Sequence, residues 1–209
     1  MLNLVTNDIT DRKLLENSFN AFKNKEHVVI ITESEEKQAV YQQIVENMSI
    51  PQSLSFSFQN LFKLKNRERD FYIAQCLIDF GYPVGNKGAQ SFDHKYYYQI
   101  VGFANLAVDL GNTHLRPETK LDKLFSRFFF SDITLEGSIK FNEKYFLTSD
   151  KREEVERFFD KQLSETIAKY DDLLINIKEN KLFLVFDQQF NVNQTRIAQD
   201  VLMGFVKSE

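Results

Sequence analysis

The chain of 209 residues is 43% hydrophobic and 27% charged, a length and balance that suit one globular domain with a core of its own. Its formal net charge is -4, which argues against a nucleic-acid-binding surface, since such surfaces show as basic patches. A single cysteine excludes a disulfide framework and fits a reducing cytoplasm, and no apolar run approaches the roughly 20 residues that cross a bilayer.

The first residues show no basic region followed by an apolar stretch, so no signal peptide is expected. Leu14, Leu15, Phe19 and Phe22 then fall at helical spacing, with Thr10 placed to cap the helix start. "HVVIIT" (27–32) is short and β-branched and predicts a strand. Ala39, Tyr41, Ile44, Val45 and Met48 predict a second helix from Ser34, which Pro51 ends. "LSFSF" (54–58) alternates with period two. "KLKNRER" (63–69), the nearest approach to a basic patch, contains Glu68 and reads as a solvated turn.

"DFYIAQCLIDF" (70–80) is ambiguous between strand and helix, and Cys76 within it reads as a buried structural thiol. "GYPVGNKGAQ" (81–90) holds three of the seven glycines and predicts a loop. The clearest alternation follows: Tyr96, Tyr98, Ile100, Gly102, Ala104, Leu106, Val108 and Leu110 share one parity, a long half-buried strand bent at Gly102. Tyr97 then faces away from Tyr96 and Tyr98. These tyrosines could stack on bases or sugars, but sheet packing is the simpler account.

"GNTHLRPETK" (111–120) reads as a corner between that strand and a helix carrying Leu121, Leu124, Phe125, Phe128 and Phe129. Beyond it, "DITLEG" and "KYFLTS" predict short strands around a "SIKFNE" connection. Asp150, with Glu153 three residues on, predicts a capped helix over 151–169 that buries Val155, Phe158, Phe159, Leu163 and Ile167. Residues 173–186 predict a hairpin turning at Glu179-Asn180, with Asn180 tolerating positive φ. A last helix runs from about Thr195, with Ile197, Val201, Leu202 and Phe205 on one face.

Strands joined by tight turns imply antiparallel pairing, so the expected fold is α+β: a mainly antiparallel sheet covered by helices on one face. It is expected as a single domain over 1–209. Residues 1–50 form a helical N-terminal part, 54–186 the sheet-forming core and 195–207 a C-terminal helix.

"HLRPETKLDKL", "SDITLEGSIKFNEKYFL" and the hairpin after them, with "HKYYYQIVGF" upstream, resemble a family of uncharacterised bacterial proteins. That family has a Leu-Arg-Pro-Glu turn, an Asp-Ile strand and a Phe-x-x-x-Tyr-x-Leu strand. The resemblance covers about residues 54–186 and implies that "DFYIAQCLIDF" is a strand. It implies no activity. Many members look membrane-anchored through segments outside this region, and this chain shows no such anchor there.

No catalytic residue is assigned. There is no Gly-rich phosphate loop and no G-x-S-x-G elbow, and His27, His94 and His114 stand far apart with no ligand spacing. No metal or cofactor is therefore expected. The best polar cluster is His114, Arg116 and Glu118, where Arg116 could grip a carboxylate or phosphate near a helix start, or simply fix the turn. The leading reading is a non-catalytic cytoplasmic domain that binds a protein partner or itself. The alternative is a small-ligand binder or enzyme with an unfamiliar pocket near 111–119.

Overall fold

The computed structural model describes residues 9–23, 28–48, 54–65, 70–84, 91–119, 132–188 and 190–207. The helices are α1 (Ile9–Phe22), α2 (Ser34–Met48), α3 (Ile139–Lys144), α4 (Arg152–Phe158), α5 (Lys161–Ile167) and α6 (Gln194–Lys207). The strands are β1 (Val28–Ile30), β2 (Leu54–Lys65), β3 (Asp70–Val84), β4 (Ser91–Asn105), β5 (Asn112–Pro117), β6 (Tyr145–Thr148), β7 (Leu173–Lys178) and β8 (Lys181–Phe186). They form one open sheet in the order β1-β2-β3-β4-β8-β7-β5-β6, with neighbouring strands antiparallel. The fold is the α+β antiparallel architecture expected from the sequence, with helices towards both ends of the chain.

Alternation along each strand sends two sets of side chains to opposite faces. One face presents Phe62, Leu64, Phe71, Ile73, Ile100, Ile175, Leu182 and Leu184, and packs against Phe22 of α1 and residues of α3–α6. The other presents Phe56, Leu61, Ala74, Cys76, Val101, Phe103 and Phe183, and is covered by Val40 and Ile44 of α2. The helices thus gather mainly on one face, with α2 set against the other. Between Phe58 and Asn60 a bulge in β2 shifts the register, which keeps Phe56 and Leu61 on the same face despite their odd spacing.

β3 is a strand over Asp70–Val84, which includes the 70–80 stretch for which the family resemblance implies one. Several local expectations are corrected. Gly81–Val84 continue β3 in register with Ser91–His94 rather than opening a loop, because β4 supplies a partner for each; residues 85–90 lie outside the described residues. Lys63 and Lys65 belong to β2, not to a turn, and Lys63 Nζ donates to Glu36 Oε1 at 3.1 Å. Thr10 lies within α1 rather than at its cap.

The long strand ends at Asn105, five residues before Leu110. From there the chain wraps the β7–β8 turn: Leu106 N–H donates to Asn180 O, Leu110 N–H to Glu179 O, and Glu179 N–H to Gly111 O. In that turn it is Glu179, not Asn180, that takes positive φ (59°). The expected helix over 121–129 lies outside the described residues.

"DITLEG" is not a strand. Ile133 N–H reaches Leu147 O, but Asp132 Oδ1 takes the Leu147 N–H, so the ladder goes no further. "SIKFNE" is no plain connection, since residues 139–144 form α3. Asp150 does not cap α4: its carboxylate accepts from Asn112 N–H at 2.8 Å and from Asn112 Nδ2 at 2.7 Å, across to β5. The single helix expected over 151–169 breaks after Phe158, and Asp160 caps α5 by accepting from Leu163 N–H at 2.7 Å. All five expected core residues, Val155, Phe158, Phe159, Leu163 and Ile167, are nonetheless buried.

Candidate functional site

The sequence singles out His114, Arg116 and Glu118; His114 and Arg116 lie within a strand, and Glu118 just beyond its end. Asn112–Pro117 form β5, held between β7 and β6. Thr113 and Leu115 point into the core, which leaves His114 and Arg116 on the opposite face. His114 Nδ1 lies 2.7 Å from Asn176 Oδ1 on β7. The Arg116 guanidinium lies over the Phe146 ring of β6, 4.6 Å from its centroid, and Nη1 donates to Pro117 O at 3.3 Å. Glu118 follows the strand, its N–H donating to Lys144 O. The three residues therefore run along one strand end, each tied to a neighbouring strand or element.

The sharp turn lies earlier, at Gly111. Its φ of 64° suits glycine, and a Cβ there would stand 1.9 Å from Asp150 Oδ1. Asp109 Oδ1 accepts the Gly111 N–H at 2.8 Å, and Asp109 Oδ2 pairs with Lys151 Nζ at 2.7 Å. The Lys151 hydrogen bond, then the Gly111 N–H, hold the Asp109 carboxyl below its usual range. The Asn112 backbone and side-chain donors do the same for Asp150. Asp109 raises Lys151 in return. The charged groups here are matched to one another, which is the chemistry of a braced turn.

A second region was not legible in the sequence. Between α3 and α5 lies a half-open groove of about 540 Å³. Asn142 shapes its near side: Oδ1 accepts from Leu135 N–H and Nδ2 donates to Leu135 O, closing the 135–142 turn in which Gly137 takes φ 72°. The floor is apolar and small, made by buried Phe141 and Ala168 and by Ser138 and Ser164, whose hydroxyls bond each other at 2.7 Å. Lys140, Lys161 and Lys169 line it, with one carboxylate, Glu165, 3.9 Å from Lys161. Ile139 stands at its edge 71% exposed, the most exposed large apolar side chain among the described residues. The one available signal was Ile139 itself, an aliphatic residue between Ser138 and Lys140 on a segment that the sequence presented as a connection.

Other titratable groups are set by burial. Burial pushes Asp172 up, opposed by hydrogen bonds that include one from Gln194. Burial also pushes up Asp132, opposed by the Leu147 N–H, and the Tyr145 hydroxyl, which donates to Tyr170 O at 3.0 Å. The Cys76 thiol is fully buried and likewise pushed up, far from a reactive thiolate. Among the described residues no group of three or more His, Cys, Asp or Glu could hold a metal ion. No helix among them is long and apolar enough to cross a membrane.

No family model matches the chain, and no curated protein matches it. Among solved structures it is similar to the mycobacterial trehalose monomycolate transport factor A. The identity is 10%, the match covers 95% of this chain and 93% of that one, and the TM-score is 0.47. At that level of likeness nothing about function follows.

Proposed function

We propose that the protein is a non-catalytic interaction domain and that the groove between α3 and α5 is where it docks a segment of another protein. The supporting observation is Ile139, 71% exposed beside a groove with an apolar floor. A large aliphatic group left in water at the edge of a concavity is what an anchor residue of a partner would cover. The lining offers one carboxylate and neither His nor Arg, a poor set for acid–base chemistry. Three lysines against one glutamate favour an acidic segment as the occupant. The same reading places the domain in the cytoplasm, in keeping with one buried thiol, and assigns it no nucleic-acid partner, in keeping with the net charge of -4.

The test is a photo-crosslinking residue at position 139 in the full chain, expressed in cells. A discrete protein adduct is expected, a second copy of the chain included. It should be lost in the Lys140→Glu, Lys169→Glu double variant, with the melting midpoint unchanged. An adduct indifferent to the charge reversal, or none, sinks the reading. The alternative, a ligand pocket at 111–119, keeps His114, Arg116 and Glu118 as its candidates. Loss of a bound small molecule in Arg116→Ala, at an unchanged midpoint, would promote it.

A further inference from the structure

A different face carries an independent site. Beyond the cover of α1 and α6, β2, β3 and β4 continue as a three-stranded ribbon. Its cross-strand register sets Ser55, Asp79 and Tyr96 in one row, and Ser57, Leu77 and Tyr98 in the next. His94 stands opposite Gly81, which contributes no side chain. Paired residues share a face, so one side of the ribbon presents two tyrosines, a histidine, a carboxylate and two hydroxyls.

The aromatic groups are arranged, not scattered. The His94 and Tyr96 rings lie within 17° of parallel, with centroids 6.1 Å apart. His94 Nδ1 bonds Asp79 Oδ1 at 2.8 Å, which fixes the imidazole and one carboxylate oxygen together. Tyr98 rests against Phe190 at 6.2 Å, closing the inner end of the row. Tyr96 is 38% exposed, and the His94 side chain 47%. Ser55 and Ser57 are exposed on the far strand, roughly 10 Å across from Tyr96 at the usual strand spacing.

We propose that this face, centred on Tyr96, binds a glycan of neutral or amino-bearing sugars. A pyranose ring offers an apolar C–H face to the negative face of an aromatic ring, and hydroxyls at its rim to carboxylate and hydroxyl partners. The ribbon supplies both: ring faces at His94 and Tyr96, and polar groups at Asp79, Ser55 and Ser57. Gly81, paired with His94, adds no side chain beside it. Charge decides between stacking ligands. A carboxyl group at Asp79 within a chain of net charge -4 disfavours a phosphate-bearing polymer and favours a neutral sugar or an ammonium group. The site does not depend on the groove between α3 and α5.

The full chain has no tryptophan, so its emission reports tyrosines. Titration with cellohexaose, with a glucosamine hexamer and with the oligonucleotide dT12 tests the proposal, read by tyrosine emission and by amide shifts on residues 91–98. Both glycans should bind saturably, the glucosamine hexamer more tightly, and dT12 should not. Tyr96→Ala should weaken both glycans about tenfold at an unchanged melting midpoint. Tyr96→Phe, which keeps the ring, should bind as the wild type does and covers the case of a misfolded alanine variant. Asp79→Asn should abolish the preference for the glucosamine hexamer. The proposal fails if neither glycan saturates by about 10 mM. It also fails if dT12 binds in their place, or if Tyr96→Ala in a folded chain binds as well as the wild type.

Discussion

On one face of the sheet Phe158, Phe159 and Phe205 meet at ring distances of 5.6–6.1 Å within a layer of five helices, whereas on the other α2 alone covers Val101, Phe103 and Phe183. The first face is held by aromatic packing among α4, the residue that ends it, and α6. The second combines an aliphatic stripe, Val40 and Ile44, with a polar hook. Glu36 accepts from Lys63 Nζ at 3.1 Å and from the Tyr72 hydroxyl at 3.2 Å, and the lysine lies over the Tyr72 ring. The same strands thus carry a thick, mostly dry layer on one side and a single helix, anchored partly by half-buried charge, on the other. Such asymmetry places the most cooperative part of the structure on the α3–α6 side.

The sharpest way to break this comparison is by cavity. Phe159→Ala removes a ring that is 2% exposed and touches Phe141, Phe158 and Phe205, and should cost about 3–5 kcal/mol by chemical denaturation. Ile44→Ala, also buried, should cost about 2–3 kcal/mol because α2 can settle onto the smaller side chain. Equal losses would mean that both faces are packed alike.

Gly111→Ala tests the braced turn that joins β5 to α4. The left-handed backbone costs an alanine about 1 kcal/mol. The new methyl would also drive the Asp150 carboxylate off Asn112. A loss of about 2 kcal/mol is expected. A neutral substitution would show that the turn carries no strain for a side chain.

The smallest effect is in pH. The Asp109 and Asp150 carboxyls lie below their ordinary value of 3.8 in the folded chain. Their stabilisation is complete above that value and is lost as pH falls through the lower folded one. Asp172, raised by burial, has the opposite sign: its contribution is complete below 3.8 and is lost as pH rises through its raised value. Asp150→Asn should therefore flatten the acid limb of the melting midpoint below about pH 4. Asp172→Asn should raise the midpoint at neutral pH relative to that at pH 3. A parallel shift of both curves at every pH would reject these assignments.

Much of the sheet is legible along the chain, because each strand alternates over its own few residues and hairpin partners follow one another directly. β7 and β8 with their turn at Glu179-Asn180 are the clearest instance. The candidate corner was legible only in part. Arg116 and Pro117 suggest a turn by local preference, yet β6 and β7 each offer the segment a ladder, and pairing overrides that preference. Asp150 reads as a cap because its spacing to Glu153 is right, but the Asn112 donors, 38 residues away, compete for the same oxygens and win. Apart from Ile139, the α3–α5 groove had no local signature. Its two walls come from separate segments, and a concavity between them is a property of neither.

On α2 the buried side is Val40 and Ile44, with the expected Ala39 and Val45 exposed. By itself the sequence determined the class of fold, the alternating strands, the buried face of α6 and the burial of Cys76. Each follows from periodicity or composition within a single element. The tertiary structure alone decided that the β7–β8 hairpin enters the sheet between β4 and β5, which are adjacent in sequence but not in space. The chain from Leu106 to Gly111 spends its backbone hydrogen bonds on the hairpin turn instead of continuing β4. Nothing between Asn105 and Asn112 encodes that crossing. It is set by strands made some 70 residues later, whose open edges pair with β4 on one side and β5 on the other.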